Sequence, residues 1–492
     1  MSKTTKYYQL EDERWQRIHF IRPRFKANIE NVLLYMANEC CKIPTCSCAE
    51  YSKRYLDAIR LFPGNIGLAE KTLQNWRTET PALFGFYTED KLSDVTTTSR
   101  MATFLNENQD LTQFLRLFLR TFQFPGGHLK PNENIPLIKK GIRFKPAQWI
   151  VRVLLAGNEL LASSGKEMSI SGLEATYCIF NDVFVTSGVL TPREVAQTIL
   201  YNRENKIKYY NKKDPRIQSR TGKPMSLGDV KRYAQDILDY MELASILEEH
   251  NGFFYLKPNE VKVIASFKED NLFFDGYESF YSEQGYTTAD IARVEVDWFD
   301  YVNSNLDENL FQTDISSLLD GKNEIDVVVI DRIQSLLDNG DKTTKDIGNL
   351  GEALICGHEK MRLKIAGYDH LAKLVQVVDS PSYHPGFDID SFEGDGSNLH
   401  RYIEVKTTIS KQKLHLYAFH MSPNEWSVAE THREHYCVYR LMLSQNSQVL
   451  YILRNPVSLY KTDQISAQPR NGMEISFSPS IVEPTPLLTW HD

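Results

Sequence analysis

The sequence predicts a multidomain α+β protein, with mainly helical winged-helix units in its N-terminal half and an α/β domain at its C-terminal end. Three observations carry this expectation. At 492 residues the chain exceeds what one hydrophobic core ordinarily organises. Through the N-terminal half, apolar residues recur at helical spacing and are interrupted by short hairpin-like runs. Near the C-terminus, two segments with strand periodicity flank a Gly-rich turn.

Residues 27–37 and 68–77 carry amphipathic helical patterns. Residues 81–87 and 91–95 then read as the strands of a hairpin turning at Thr88-Glu89-Asp90, and helices followed by a hairpin suggest a winged helix. A single helix is expected to start at 97–102 and continue past Asp110 to Leu119. A second unit follows Phe122-Gln123-Phe124-Pro125, with helices at 146–155, 169–177 and 191–199, the last two marked by Ser/Thr start signals. In a third, a helix over 228–238 gives way to a strand at 252–256 carrying the wing. An acidic, helical stretch bridges to the C-terminal domain. The boundaries so read are 1–125, 126–284, 285–340 and 341–492.

The composition, 42% hydrophobic and 24% charged, is that of a soluble globular protein. No stretch resembles a signal-peptide core or could span a bilayer, so a cytoplasmic protein without membrane contact is expected. The net charge of −8 leaves contact with nucleic acid to local clusters. From Arg203 to Lys223 there are eight basic residues against two acidic ones. Lys206, Lys208, Lys212, Lys213, Arg216 and Arg220 are the candidate DNA-binding residues, with interleaved tyrosines and Asn211 offering further groups to phosphates. The alternative is a solvated basic loop. Seven cysteines, an odd number, argue against a disulfide framework. Cys40, Cys41, Cys46 and Cys48 cluster, but adjacent and single-spaced thiolates suit tetrahedral zinc poorly, and free buried thiols are the simpler expectation. The absence of a Gly-rich phosphate loop argues against ATP-driven translocation within this chain.

The chemistry concentrates in Gly386-Phe387-Asp388-Ile389-Asp390-Ser391 and Arg401-Tyr402-Ile403-Glu404-Val405-Lys406-Thr407. Strand alternation sets Glu404 and Lys406 on one face and Ile403 and Val405 on the other, toward a core. Asp388 can then meet Glu404 at one Mg²⁺, with Lys406 beside the attacking water. Asp390 is an alternative ligand, two residues along the same strand face. His384 and His400 border the site and are left out of the metal set.

This pattern resembles the PD-(D/E)XK nuclease signature and, more narrowly, the NO VEIN C-terminal type of domain found in bacterial restriction and defence proteins. The narrower resemblance rests on Gly351-Glu352, Glu359, Arg362, the two segments above, and Phe419, Ser422, Glu425, Trp426, Tyr436 and Arg440, and spans roughly residues 340 to 455. It implies an α/β PD-(D/E)XK restriction endonuclease-like fold and selects Asp388 over Asp390. Catalysis would fall to Glu352, Asp388, Glu404 and Lys406, with Mg²⁺ on Asp388 and Glu404. Glu352 would reach the site from its helix, Glu359 would be structural, and Glu425 and Tyr436, both expected on the helix after Pro423, would brace the sheet or touch the DNA backbone. The order of elements across residues 60 to 265 is similar to the recognition region of type IIS restriction and nicking endonucleases, which implies double-stranded DNA as partner.

Together these imply a sequence-specific, Mg²⁺-dependent type II restriction endonuclease acting against foreign DNA beside a cognate methyltransferase. One centre cuts one strand, so a double-strand break would need a homodimer on DNA or sequential cuts. Two other readings stand: a modification-dependent or partner-dependent phage-defence nuclease, and a DNA-binding regulator with a nuclease-like domain.

Overall fold

The computed structural model describes residues 6–20, 29–62, 65, 67–90, 93–109, 111–209, 214–217, 224–225, 227–258, 260–304, 347–378, 385–410, 417–444, 447–469 and 472–488. The chain divides into two compact units, each assembled from separate stretches. One comprises Met1–Pro23, Leu68–Met101 and Thr112–Phe311, and the other Arg24–Gly67, Ala102–Leu111 and Gln312–Asp492. Residues 24–67 and 102–111, read from the sequence as parts of an N-terminal unit, thus pack with the C-terminal sheets.

In the first unit, the helix Glu70–Phe84 runs through Pro81 and ends at Gly85, whose φ of 67° is left-handed. The strand expected at 81–87 is therefore largely helix. An interior proline costs about 3 kcal/mol. Against this, Leu83, Phe84 and Phe86 are all buried, at roughly 1.5–3 kcal/mol for each side chain. Phe84 packs 4.7 Å from Phe118 between ring centroids, and Phe86 lies 5.7 Å from Phe114. Burial wins, and the hairpin shifts to Tyr87–Asp90 and Val95–Thr98. The single helix expected from 97 to 119 is two helices, Arg100–Asn108 and Leu111–Thr121, separated at Gln109, a non-glycine residue with φ 52°.

Further along, the helix Pro146–Leu161 buries residues on nearly every side, and Pro192–Glu204 starts in a capping box between Thr191 and Glu194. The stretch expected as a helix at 169–177 opens instead with the strand Ser169–Ser171, before a helical turn at Gly172–Ala175. This strand pairs antiparallel with Phe253–Leu256, which pairs in turn with Leu247–His250. Asn251 and Gly252, both at positive φ, close the Leu247–Leu256 hairpin in the way an Asn-Gly turn favours. The helix Leu227–Leu243 precedes it, so helix and hairpin follow in the expected order.

The C-terminal unit gathers α1 (Ile29–Lys42), α2 (Cys48–Leu61), α3 (Arg100–Asn108, entering at Ala102), α4 (Ile347–Ile365) and α5 (Pro423–His432) around two sheets. Its strands are β1 (Gln376–Val377), β2 (Ile389–Phe392), β3 (His400–Ser410), β4 (Ala418–Met421), β5 (Tyr436–Ser444), β6 (Ser447–Arg454), β7 (Ile465–Pro469), β8 (Met473–Phe477) and β9 (Pro484–Thr485). The larger sheet has the order β1-β2-β3-β5-β6-β9, and the smaller β4-β8-β7. Among the described strands of the larger sheet, only β3 and β5 pair in parallel, and α5 lies in the connection between them.

Leu350, Leu354, Ile355 and Leu363 of α4 share a buried core with Ile403, Val405, Tyr439 and Leu441. Gly351 permits this approach, since a Cβ there would stand 1.7 Å from the Thr407 Oγ1. One face of β3 and β5 is thereby committed to packing, which leaves Glu404, Lys406, Thr408 and Arg440 on the other. In α1, Cys40 and Cys41 are buried, Cys46 and Cys48 beyond it are half-buried, and all four are free thiols.

Candidate active site

Antiparallel pairing sets Ile389 opposite Ile403, so Asp388, one residue earlier, falls beside Glu404. The Asp388 backbone N–H donates to the Ile403 carbonyl at 2.8 Å, and its carboxylate accepts the Val405 N–H at 2.7 Å. The side chain is thus held against β3 at two levels. Lys406 projects from the same face as Glu404, its Nζ 2.7 Å from Glu404 Oε1 and 2.9 Å from Glu425 Oε2. Glu425 is fixed in turn by the capping box of α5: Ser422 Oγ accepts the Glu425 N–H, and the Ser422 N–H donates to Glu425 Oε2 at 3.1 Å. Tyr436 opens β5 rather than sitting on α5, because the helix ends at His432 and a short turn intervenes. Its hydroxyl donates to the Gly386 carbonyl at 2.8 Å, anchoring the residues that lead into Asp388.

The electrostatics follow from burial. Glu404 is 3% exposed, and desolvation, reinforced by Asp388 and Glu425 and opposed by Lys406, raises its pKa well above the usual carboxylate range. Burial also works against a charged Glu425, but the Lys406 ammonium and the Ser422 hydrogen bonds outweigh it and hold that carboxyl low. Lys406 is desolvated too, yet the three carboxylates raise its pKa above the ordinary value. Three acids thus face one ammonium.

Glu359 is fully buried and belongs to a different network. It accepts from Arg362 at 2.8 and 2.7 Å, Ser391 Oγ at 2.7 Å and the Tyr439 hydroxyl at 2.8 Å, which ties α4 to β2 and β5. Asp390 is engaged by His400 at 2.6 Å. Glu352 stands half-buried on α4, the helix packed against the opposite face of β3 from Glu404 and Lys406. The structure therefore brings Asp388, Glu404, Lys406 and Glu425 together, with Tyr436 behind them and Glu352 on a neighbouring element. His384 lies outside the described residues.

In the basic stretch of the first unit, Lys206 and Lys208 are exposed. Lys212, Lys213 and Arg220 lie outside the described residues, as does the side chain of Arg216 on the strand Asp214–Ile217. Arg203, which opens the run, is committed to Glu174 at 2.7 Å and to the Ser169 carbonyl at 2.9 Å.

The resemblance named Arg440 without a role, and sequence reasoning did not reach its partner Gln109. Arg440 is the in-register partner of Lys406 and is 0% exposed. It donates to the Lys406 carbonyl at 3.0 Å and to Gln109 Oε1. Desolvation pushes its guanidinium down to about 9. An arginine at a core position of an apolar strand was the available signal, but nothing local points to Gln109 as its partner.

Whether a divalent ion suits this site is tested by the donor set. Glu404 Oε2 is buried with no hydrogen-bond partner among the described residues. An uncompensated buried carboxylate oxygen is costly unless something meets it. Among the described residues no group of three or more His, Cys, Asp or Glu forms a metal cage. Mg²⁺ typically takes one or two carboxylates and completes its shell with water and substrate phosphates, and the unpartnered Glu404 Oε2 is the observation that suits it. Asp388 and Glu404 are the residues that would hold it.

Comparison with known families relates the chain to restriction endonucleases. The chain belongs to the family described as restriction endonuclease BpuJI, N-terminal, whose model matches residues 8–299, more than half of its length. Residues 351–453 match the family described as protein NO VEIN, C-terminal. A solved structure, of pyrene- and phenanthrene-modified DNA in complex with the BpuJ1 endonuclease binding domain, is similar in fold. It is 24% identical with a TM-score of 0.50, covering 60% of this chain and 100% of that one. No curated protein matches. No helix among the described residues is long and apolar enough to cross a membrane.

Proposed function

We propose that the protein is a Mg²⁺-dependent, sequence-specific DNA endonuclease of restriction type, which reads duplex DNA with its N-terminal unit and hydrolyses phosphodiester bonds at Asp388, Glu404 and Lys406. The observation that carries the reading is the convergence of these three groups on one sheet face, with a buried Glu404 oxygen lacking a partner among the described residues. It is supported by membership of the BpuJI N-terminal family and by the fold shared with a domain solved on DNA.

A divalent ion on the two carboxylates supplies positive charge to the phosphoryl oxygens and acidifies bound water. Asp388, held by the Val405 N–H, and Glu404, held by Lys406, present oxygens from adjacent strands. Lys406 stays protonated between its carboxylates, so it donates a hydrogen bond that orients the attacking water or a phosphate oxygen and does not take up a proton. Glu425 keeps the ammonium in place, and Tyr436 keeps the Asp388 loop in place. Glu352 contributes from its helix α4, an assignment carried by the family resemblance. In the first unit, Lys206, Lys208, Lys212, Lys213, Arg216 and Arg220 contact backbone phosphates. The setting is a restriction system of the cytoplasm, with a cognate methyltransferase protecting host DNA and two copies on DNA for a double-strand break.

Incubating the purified protein with Mg²⁺ and a long unmethylated duplex, then mapping fragment ends, tests this. Discrete ends at a common sequence are expected, and intact DNA under all divalent conditions would refute it.

A further inference from the structure

Beside β3, on the face that carries Lys406 and Thr408, the segment Ala102–Leu111 reaches the C-terminal unit from the middle of the N-terminal sequence, and near its end stands a residue with unusual geometry. Gln109 is buried and adopts φ 52°, a conformation that non-glycine residues enter at a cost. An outlier of this kind persists only where its surroundings determine it, and here they do. Gln109 Oε1 accepts both the Thr408 hydroxyl of β3 and the Arg440 guanidinium of β5, while its Nε2 donates to the Ala418 carbonyl of β4 at 3.1 Å. Upstream, Asn106 donates to Glu474 at 3.0 Å and accepts from Asn38 of α1 at 3.0 Å, and His420 meets the same Glu474 at 3.0 Å. All of these are buried except His420, which is partly so. The segment is therefore locked by polar contacts, which fix register where apolar packing alone would let a helix slide.

From this geometry we infer that Gln109 is a positioning residue for Lys406. Its single acceptor oxygen meets Arg440 and Thr408 together. Arg440 in turn grips the Lys406 carbonyl, and Thr408 lies two residues further along the same face. The height at which the Lys406 ammonium stands between Glu404 and Glu425 is thus set by a residue far upstream. The catalytic centre is complete only when Ala102–Leu111 is seated, and helix α3 begins in the other unit, where the Met101 N–H donates to Asn303 Oδ1 at 3.1 Å. This rests on Lys406 acting in cleavage, as proposed above.

The test uses the full chain and three variants. Gln109→Leu removes the acceptor, Gln109→Glu keeps it and adds charge opposite Arg440 while giving up the hydrogen bond to the Ala418 carbonyl, and Gln109→Asn withdraws the acceptor by one methylene. In single-turnover cleavage of a long unmethylated duplex with Mg²⁺, Q109L should cut about 10–100-fold more slowly, the range for losing a residue that orients a catalytic group. Half-saturating DNA concentration should be unchanged, and Q109E should recover most of the rate. Hydrogen exchange of the 400–410 peptide in metal-free protein should speed up in Q109L and return toward wild type in Q109E. Should Q109L fail to fold, Q109N carries the test, with slowed cutting at unchanged DNA binding. Wild-type cutting by Q109L, joint loss of cutting and DNA binding, or no recovery in Q109E would overturn the inference. If the wild type cuts nothing, the cleavage reading fails by itself, and the exchange measurement still decides whether Gln109 holds the strand.

Discussion

Replacing Lys406 with methionine keeps the side-chain volume and removes the cation that stands between Glu404 and Glu425. The two carboxylates lie 2.7 and 2.9 Å from its Nζ and have largely lost their water. Removing one partner of a buried ion pair typically costs 3–5 kcal/mol, mostly because a charge is left uncompensated. The Lys406 side chain retains 21% exposure, so some solvent reaches the pair, and the lower end, about 3 kcal/mol, is expected. For a unit of this size each kcal/mol moves the midpoint by roughly 2–4 °C, which gives a drop on the order of 6–12 °C. Thermal unfolding in metal-free buffer at neutral pH, followed by circular dichroism, measures it. K406M/E425Q should regain more than half of the loss, since the charge stranded on Glu425 is gone, and in both proteins added Mg²⁺ should still stabilise, because its ligands remain. Cleavage by K406M should be lost. A destabilisation below about 1 kcal/mol, or no recovery in the double variant, would show that the three groups are not coupled as the geometry requires.

Other expectations follow from separate parts of the molecule. Asp388→Ala or Glu404→Ala should abolish cleavage while DNA binding in a gel-shift assay stays within about twofold, since neither ligand belongs to the unit assigned to recognition. Neutralising Lys206 and Lys208, both exposed, should flatten the salt dependence of DNA binding by about 0.9 in log–log slope for each phosphate no longer neutralised, equally on cognate and random duplexes; an unchanged slope returns the stretch to a solvated loop. His128 is buried among Phe122, Phe124 and Trp298, and burial lowers its pKa from 6.5 to about 3. Between those values the unfolded chain binds a proton that the folded one does not, so stability should fall as pH drops below 6.5, by up to about 1.4 kcal/mol per pH unit from this group. Denaturant titrations of His128→Phe from pH 7 to 5 should show a shallower decline than wild type.

What could be read from the sequence divides along a physical line. The alternation of Ile403, Glu404, Val405 and Lys406 declared its own two faces, because strand period is a local property, and both faces came out as read. The Ser422 and Glu425 pair announces the start of α5 for the same reason. That this Glu425 also meets Lys406 was not legible, since the contact depends on how the connection between β3 and β5 folds back. The helix through Pro81 went unread because the burial of Phe84 and Phe86 that helps outweigh the proline comes from partners as distant as Phe118 and Phe114. The division of the chain was least legible. Residues 24–67 and 102–111 share the amphipathic character of their neighbours, and the buried Asn38, Asn106, Gln109 and Glu474 contacts lie within the unit they join. Polar residues at core positions of helices that otherwise look like ordinary packing are the local trace of such an arrangement. A boundary drawn at residue 340 would separate Arg440 from the Gln109 oxygen to which it donates, so the unit that holds Asp388, Glu404 and Lys406 is defined by three stretches of chain and not by its C-terminal sequence alone.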